Sequence, residues 1–304
     1  GELAVYPQLK GQEAAQVASA FALSDEDFVF PSYRELGVAL VRGVDIVEYL
    51  HFYRASLHGG GYDPREAKFG MICVPVSSQI PHATGYALGA KLDRRKIVVM
   101  TYFGDGGTSQ GDFHEGCNFA GVFRLPVVFF CQNNQWAISV PLKQQTAAPI
   151  FKKADAYGFP GVRVDGNDVL ATYQVTKEAV DRARETNTPT LIEAVTYRMS
   201  SHSTADDATR YRTSEEVELL RAFDPLDRYD KFLTNRGLLD EDRRQQFRSE
   251  ADQLAAYARK GVVGASPIDP LEMFDWVFEK PTEALESQRK EVEEELKFAG
   301  ETDA

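Results

Sequence analysis

The stretch "GDGGTSQGDFHEGCNFAGVFRLPVVFFCQNNQWAIS", Gly104 to Ser139, decides the reading of the fold. An acid between glycines, Asp105, follows the apolar run "KIVVMTYF", and the pair Asn133-Asn134 follows the apolar run "PVVFFCQ". Short, nearly continuous apolar runs suit parallel strands buried on both faces. Between them "GDFHEGCNFAGVF" reads as a helix. Beyond them "GVRVD" and "PTLIEAVTYRM" are further strand candidates, separated by the helix "DVLATYQVTKEAVDRARET". Strand and helix alternating in this way imply a doubly wound parallel sheet.

Toward the amino end, "DFVFPSYRELG" reads as a short strand broken by Pro31 and then a helix start. In "GQEAAQVASAFAL" the helical period places Ala15, Val17, Ala18, Phe21 and Ala22 on one face. "DIVEYLHFYRASLHGG" is an amphipathic helix closed by the glycines at 59–61. "SSQIPHATGYALGAKL", rich in small residues, suits a helix lying close on a sheet. From about Thr213 the chain turns helical and charged. The expected organisation is an α/β domain over 1–212, with a C-terminal helical extension over 213–304 packed on the same domain.

Composition narrows the function. The 304 residues suffice for a sizeable core, and 43% hydrophobic with 26% charged residues is ordinary for a globular chain. A formal net charge of -12 argues against nucleic acid as a general partner, because phosphate backbones need a basic surface. No apolar run approaches the length of a membrane span, so no membrane partner is expected. Cys73, Cys117 and Cys131 stand singly in apolar surroundings, which suits buried thiols in a reducing compartment, and the five histidines show no zinc-ligand spacing with them. The amino end carries neither a basic segment nor an apolar signal core.

Ligands of parallel sheets bind outside the carboxyl ends of the strands. Glycines there let a backbone approach a phosphate and offer free amides. Asp105 offers an anionic oxygen and Asn134 a neutral one, a donor set suited to Mg²⁺ shared with substrate phosphates. A dinucleotide fingerprint would need a third glycine where Ser109 stands, and a P-loop would need Gly-Lys-Ser/Thr. The plain alternative is an Asp-Gly turn followed by an unrelated polar loop.

"GDG" closed by "NN" resembles the thiamine-diphosphate motif. Together with "TSQGDFHEGCNFAG", "NNQWAIS", "GQEAAQVAS", "FPSYRELG", "SSQIPHATG", "VDGNDV" and "YRMSSHSTADDATRYR", the chain resembles the alpha subunit of the decarboxylating first component of 2-oxo acid dehydrogenase complexes. The resemblance covers roughly residues 10–215 and implies a thiamine-diphosphate-binding fold. It implies that Asp105, Asn134 and the carbonyl of Trp136 hold Mg²⁺, with Gly104, Gly106, Gly107, Ala137 and Ile138 around the cofactor. Tyr33 and Arg34 would contact the diphosphate, for which an Arg is well suited. Val76 would wedge beneath the cofactor, with backbone near Val74 and Val76 on its pyrimidine. Pro75, Ser78 and Gln79 resemble a monovalent cation (K⁺) segment of branched-chain members, although a hydroxyl and an amide at a helix start also serve as caps. Asn133 reads as a loop stabiliser.

His202, in a polar loop past a strand end, is the catalytic candidate. An imidazole there can donate to the diphosphate and help move protons or acyl groups. Arg198 and Asp206 are expected to brace its loop by ion pairing, continued by Tyr211 and Arg212. Ser203 matches a serine that kinases phosphorylate in mitochondrial members, and reads otherwise as an ordinary hydroxyl. Two positions depart from the pattern: Gln132, where branched-chain relatives carry an Arg, and Ser201.

No Glu of this chain is marked for engaging the cofactor's pyrimidine. The resemblance implies that this carboxylate comes from a beta subunit in a heterotetramer, so that the chain alone is inactive. The substrate class is a 2-oxo acid, branched-chain narrowly over pyruvate, with a lipoyl-bearing acyltransferase as acceptor. The alternatives are an acetoin-cleaving relative and a Mg²⁺-nucleotide diphosphate-binding subunit. A bacterial cytoplasmic location is expected. The mitochondrial matrix stays open because the sequence starts without Met.

Overall fold

The apolar runs that precede Asp105 and Asn133-Asn134 form neighbouring strands in a five-stranded sheet in the computed structural model, which describes residues 2–54, 61–266 and 269–302. Its strands are β1 (Phe28–Phe30), β2 (Val99–Gly104), β3 (Val127–Asn133), β6 (Gly161–Asp165) and β7 (Thr190–Val195). They run in the order β1-β2-β3-β7-β6, every pair parallel. After β3 a two-stranded antiparallel hairpin intervenes, β4 (Trp136–Ala137) and β5 (Val140–Pro141).

The helices are α1 (Glu13–Phe21), α2 (Leu36–Val41), α3 (Ile46–His51), α4 (Pro64–Ala67), α5 (Gln79–Leu92), α6 (Gly111–Phe123), α7 (Val169–Thr186), α8 (Ser214–Arg221), α9 (Pro225–Asn235), α10 (Glu241–Val263) and α11 (Glu283–Thr302). Alternation along the strands separates two cores. Met100, Tyr102, Val128, Phe130, Ile192 and Ala194 face one side, where Ala15 of α1 and Ala179, Val180 and Ala183 of α7 cover them. Val99, Phe103, Val127, Phe129, Cys131 and Leu191 face the other, against Ile80, Ala83 and Ala87 of α5 and Phe113, Cys117 and Ala120 of α6. Burial on both faces explains the unbroken apolar runs. The mixed α/β class with a parallel sheet is as expected.

Three local readings need correction. Phe21 does not share the buried face of α1: it is 64% exposed, and the helix buries Ala14, Ala15, Gln16, Ala18, Ser19 and Ala20 instead. With α7 and α2 both packed against it, the helix presents only compact or polar side chains inward. The segment "PTLIEAVTYRM" leaves the sheet at Val195, where Gly166 and Asn133 take over its backbone bonds. Cys73 is half-buried, with Sγ 2.9 Å from the Ser78 hydroxyl, unlike the buried Cys117 and Cys131. The helix predicted from Asp45 is α3 plus one 3₁₀ turn, and its closing glycines 59 and 60 lie outside the described residues.

The charged C-terminal helices contact the α/β unit at specific points. Ala258 and Val262 of α10 join the first core, and Arg54 donates to the Val262 carbonyl at 2.6 Å. Arg228 of α9 bridges Asp165 at the end of β6 and Asp168, whose side chain caps α7. No described helix is long and apolar enough to cross a membrane.

Candidate functional site

Parallel pairing of β2 with β3 sets Gly104 opposite Gln132, so Asp105 and Asn134 emerge side by side just beyond the sheet. Asp105 opens a 3₁₀ turn and is buried; its Oδ1 accepts from the Asn134 amide at 3.2 Å and its Oδ2 from Gln145 Nε2 at 3.1 Å. Burial pushes its carboxyl up to about 6, against the pull of these donors and of Arg198. Asn134 donates from Nδ2 to Gln12 Oε1 at 3.1 Å, while its Oδ1 accepts from the Trp136 amide at 3.2 Å. Asn133 points away, bonding Glu193 at 2.7 Å.

The next turn bends sharply. Gln135 and Ile138 both hold positive φ, 73° and 54°, a strained conformation for non-glycine residues. Arg198 holds this bend by donating to the carbonyls of Trp136 at 3.2 Å and Ile138 at 2.8 Å. A carbonyl oxygen has two lone pairs, so the Trp136 oxygen keeps one free. The hairpin then presses on the glycine turn: a Cβ on Gly106 would lie 2.6 Å from Ala137 Cβ, and one on Gly107 would lie 2.7 Å from Ser77 Oγ.

The glycine turn with Asp105, together with Asn134, Trp136, Ala137 and Ile138, lines a cavity of about 210 Å³ with Gln12, Tyr33, Arg34, Glu35, Gln132 and His202. An apolar cavity of about 490 Å³ adjoins it, lined by Val5, Phe52 and Val74 among others. Tyr33, Val76, Ile138 and His202 line both. Val74 and Val76 are 53% and 44% exposed, so neither packs into the core, the default for Val76 as an apolar residue after Pro75.

Two guanidiniums meet at His202, Arg34 in the wall of the polar cavity and Arg198 behind it. Arg34 is buried and donates to the Gln8 carbonyl at 2.6 Å and to the carbonyl and Nδ1 of His202 at 3.0 and 3.2 Å. Arg198 lies 3.4 Å from the same Nδ1. Neither guanidinium has an ion pair among the described residues. Burial and then the two guanidiniums lower the His202 imidazole to about 4. Guanidiniums only donate, so Nδ1 must accept and the ring proton sits on Nε2.

The expected Arg198–Asp206 ion pair is not direct. The Tyr211 hydroxyl stands between them, 2.8 Å from Arg198 and 2.5 Å from Asp206, and Asp206 also accepts from the His202 amide at 2.8 Å. Arg212 ties the strand to this loop through the carbonyls of Met199 and Ser200. Ser203 is buried, and its hydroxyl accepts from the Ala205 amide at 3.4 Å.

At the start of α5, Ser78 makes no capping bond, and its hydroxyl turns to the Pro75 carbonyl at 3.0 Å. Gln79 donates to the Tyr102 carbonyl at 2.7 Å, leaving its buried Oε1 without a hydrogen-bond partner.

Sequence reasoning passed over Gln12, Gln145 and Glu35. Glu35 is buried beneath the cavity, bonded by Gln132 Nε2 at 2.6 Å, and Gln132 in turn accepts from Gln16 at 2.9 Å. Burial raises the Glu35 carboxyl. Nothing local marks a glutamine at a helix start as a partner of an asparagine 122 residues away.

The chain matches the family described as "Dehydrogenase E1 component" over residues 1–262. It is 46% identical over 302 residues to the 3-methyl-2-oxobutanoate dehydrogenase subunit alpha of Mycobacterium tuberculosis, covering 97% of this chain and 81% of that one. It is 40% identical to the 2-oxoisovalerate dehydrogenase subunit alpha of Bacillus subtilis, covering 92% and 88% of the two chains. Against the pyruvate dehydrogenase E1 component subunit alpha of Staphylococcus aureus identity is 44% over 260 residues, covering 84% and 70%. With a match across most of its length, the chain belongs to the dehydrogenase E1 component family.

Proposed function

We propose that the chain is the alpha subunit of a thiamine-diphosphate-dependent 2-oxo acid dehydrogenase, active with a beta subunit and passing its acyl group to a lipoyl group of an acyltransferase. The observation that carries this reading is a pair of buried guanidiniums, Arg34 and Arg198, bonded to neutral groups beside the buried Asp105. Two buried guanidiniums with no direct ion pair among the described residues have room for an anion, and a diphosphate with its divalent ion satisfies the cations and the carboxylate together. The buried Nε2 of Gln12 also lacks an acceptor.

Asp105, Asn134 and the Trp136 carbonyl would hold Mg²⁺, with the turn at Gly104, Gly106 and Gly107 close on the phosphates and Tyr33 and Arg34 bonding them. Ala137 and Ile138 close the wall, and Val76, at the junction of the polar and apolar cavities, would support the cofactor between its two ends. Thiamine diphosphate, when bound, supplies the nucleophile and electron sink that 2-oxo acid decarboxylation requires. His202 contributes a neutral imidazole whose Nε2–H donates to a phosphate oxygen or moves a proton at the substrate. Pro75, Ser78 and the unpartnered Oε1 of Gln79 would take K⁺. We read residues 213–304 as an extension of the α/β unit of 1–212 and place the protein in a bacterial cytoplasm.

A branched-chain substrate is favoured because the matches to alpha subunits named for 3-methyl-2-oxobutanoate and 2-oxoisovalerate cover more of this chain than those to pyruvate enzymes. The apolar cavity beside His202 suits an aliphatic side chain. The test is reconstitution with the beta subunit and an assay of 3-methyl-2-oxobutanoate, pyruvate and acetoin with an artificial electron acceptor. The highest kcat/KM is expected for 3-methyl-2-oxobutanoate; a pyruvate or acetoin preference overturns the substrate. Calorimetric binding of Mg²⁺-ADP in place of Mg²⁺-thiamine diphosphate would overturn the cofactor.

A further inference from the structure

A third cavity, of about 960 Å³, opens at the carboxyl ends of β6 and β7, beside the β4–β5 hairpin. Trp136 lines both this cavity and the polar one described above. Four charged side chains line it, Lys143, Arg163, Asp165 and Glu216. Both acids are engaged. Asp165 pairs with Arg228 at 2.5 Å and accepts from the Asn167 amide at 3.0 Å. Glu216 accepts from the Tyr197 hydroxyl at 2.7 Å and from Trp136 Nε1 at 3.3 Å, which ties α8 to the hairpin.

Both bases are left over. Arg163 and Lys143 make no ion pair or side-chain hydrogen bond among the described residues. Between β6 and α7, Asn167 is 7% exposed and lines the cavity, yet its Oδ1 has no hydrogen-bond partner. Buried amides are ordinarily satisfied, so this one marks a missing partner. Leu142, Leu220 and Phe223 supply an apolar wall.

We propose that this cavity is a second ligand site, separate from the cofactor cavity, for a small organic anion, a carboxylate or a phosphate monoester, whose apolar body also carries a hydroxyl donor. The anion bonds Arg163 and Lys143, for which the bidentate guanidinium suits either group. The apolar body lies against Leu220 and Phe223, and Asn167 Oδ1, an acceptor, takes a hydroxyl donor of the ligand beside the charge. A neutral molecule of the same shape leaves both cations unpaired and binds poorly. The site stands on this cavity alone and does not depend on the cofactor reading.

The chain contains two tryptophans, Trp136 in the cavity wall and the exposed Trp276, so one indole reports on the site and the other serves as control. The chain is labelled with 5-fluorotryptophan, reconstituted with unlabelled beta subunit, and titrated by ¹⁹F NMR with 2-hydroxyphenyl phosphate, 2-hydroxy-4-methylpentanoate and, as the neutral alcohol, 4-methylpentane-1,2-diol. Trp276→Phe assigns the two resonances. A saturable shift of the Trp136 resonance is expected with either or both anions, the better of them identifying the anionic group, and none with the alcohol. Arg163→Ala with Lys143→Ala should weaken that binding at least tenfold, and Asn167→Asp should weaken it by charge repulsion without emptying the cavity. Asp105→Ala should leave it intact. The proposal is overturned if Trp136 does not respond to either anion, if the alcohol binds equally, or if the double variant binds as the parent does.

Discussion

Gln12 Oε1 accepts from Asn134 Nδ2 at 3.1 Å, and this one bond decides which end of the Asn134 amide is available to a metal. With Nδ2 committed to Gln12, Oδ1 is the remaining end. Gln145 plays the parallel part for Asp105, so each oxygen donor is steadied by a glutamine from a different segment. Gln12→Met removes the acceptor while nearly keeping volume. It should weaken Mg²⁺-dependent thiamine diphosphate binding about 5–30-fold, the loss of one buried hydrogen bond. Gln12→Glu keeps an acceptor for Asn134 but replaces the Nε2 donor with an anionic oxygen, so it should keep the Mg²⁺ dependence while weakening binding of the diphosphate. Calorimetry at several Mg²⁺ concentrations separates the two.

Contact between the glycine turn and the hairpin predicts a suppressor. Gly106→Ala drives a methyl into Ala137 and should cost about 1–3 kcal/mol of stability as well as cofactor affinity. Adding Ala137→Gly removes the obstacle. Chemical denaturation of the single and double variants should show most of the lost stability returned. If the double variant is no better than Gly106→Ala, the clash is not the cause.

Asp105 and His202 pull stability in opposite directions with pH. Asp105, raised to about 6, binds its proton more tightly folded than unfolded, so its contribution falls as pH rises from about 4 to 6. His202, lowered to about 4, binds its proton less tightly folded, so its contribution rises with pH between about 4 and 6.5. In the cofactor-free protein Asp105→Asn should leave stability rising more steeply across this window, and His202→Asn should leave it falling. Urea midpoints from pH 4.5 to 6.5 read both slopes. Metal needs the ionised carboxylate, so cofactor affinity should drop about tenfold per pH unit below about 6.

His202→Asn should lower kcat of the reconstituted enzyme by about 10²–10⁴-fold, the usual scale of a lost acid–base group, with a small change in cofactor affinity. Stopped-flow turnover and calorimetry on one preparation test the split. A large fall in affinity with kcat preserved would make His202 a binding group instead.

Much of this was legible before any coordinates. Strand tips at Gly104 and Asn133 follow from two apolar runs, because burial on both faces leaves no alternation to misread. Asp105 and Asn134 follow from their place after those tips. Phe21 misled because periodicity names a face without saying what lies on it, and here the neighbours are close helices that exclude large rings. Arg198 and Asp206 were placed in one loop correctly, but an intervening phenol cannot be foreseen from spacing. Gln12, Gln145 and Glu35 were invisible for a common reason. A buried polar side chain takes its meaning from a partner far along the chain, and residue type alone does not name that partner.

Left-handed backbone on either side of Trp136, at Gln135 and Ile138, sets this protein against its own thermostability. Glycine at either position would relax the bend, and laboratory evolution under heat should therefore rediscover it. The relaxed hairpin would no longer hold the Trp136 carbonyl in its present direction. Heat-selected descendants of this chain should accordingly leak their vitamin coenzyme, and robustness would be gained at the expense of retention.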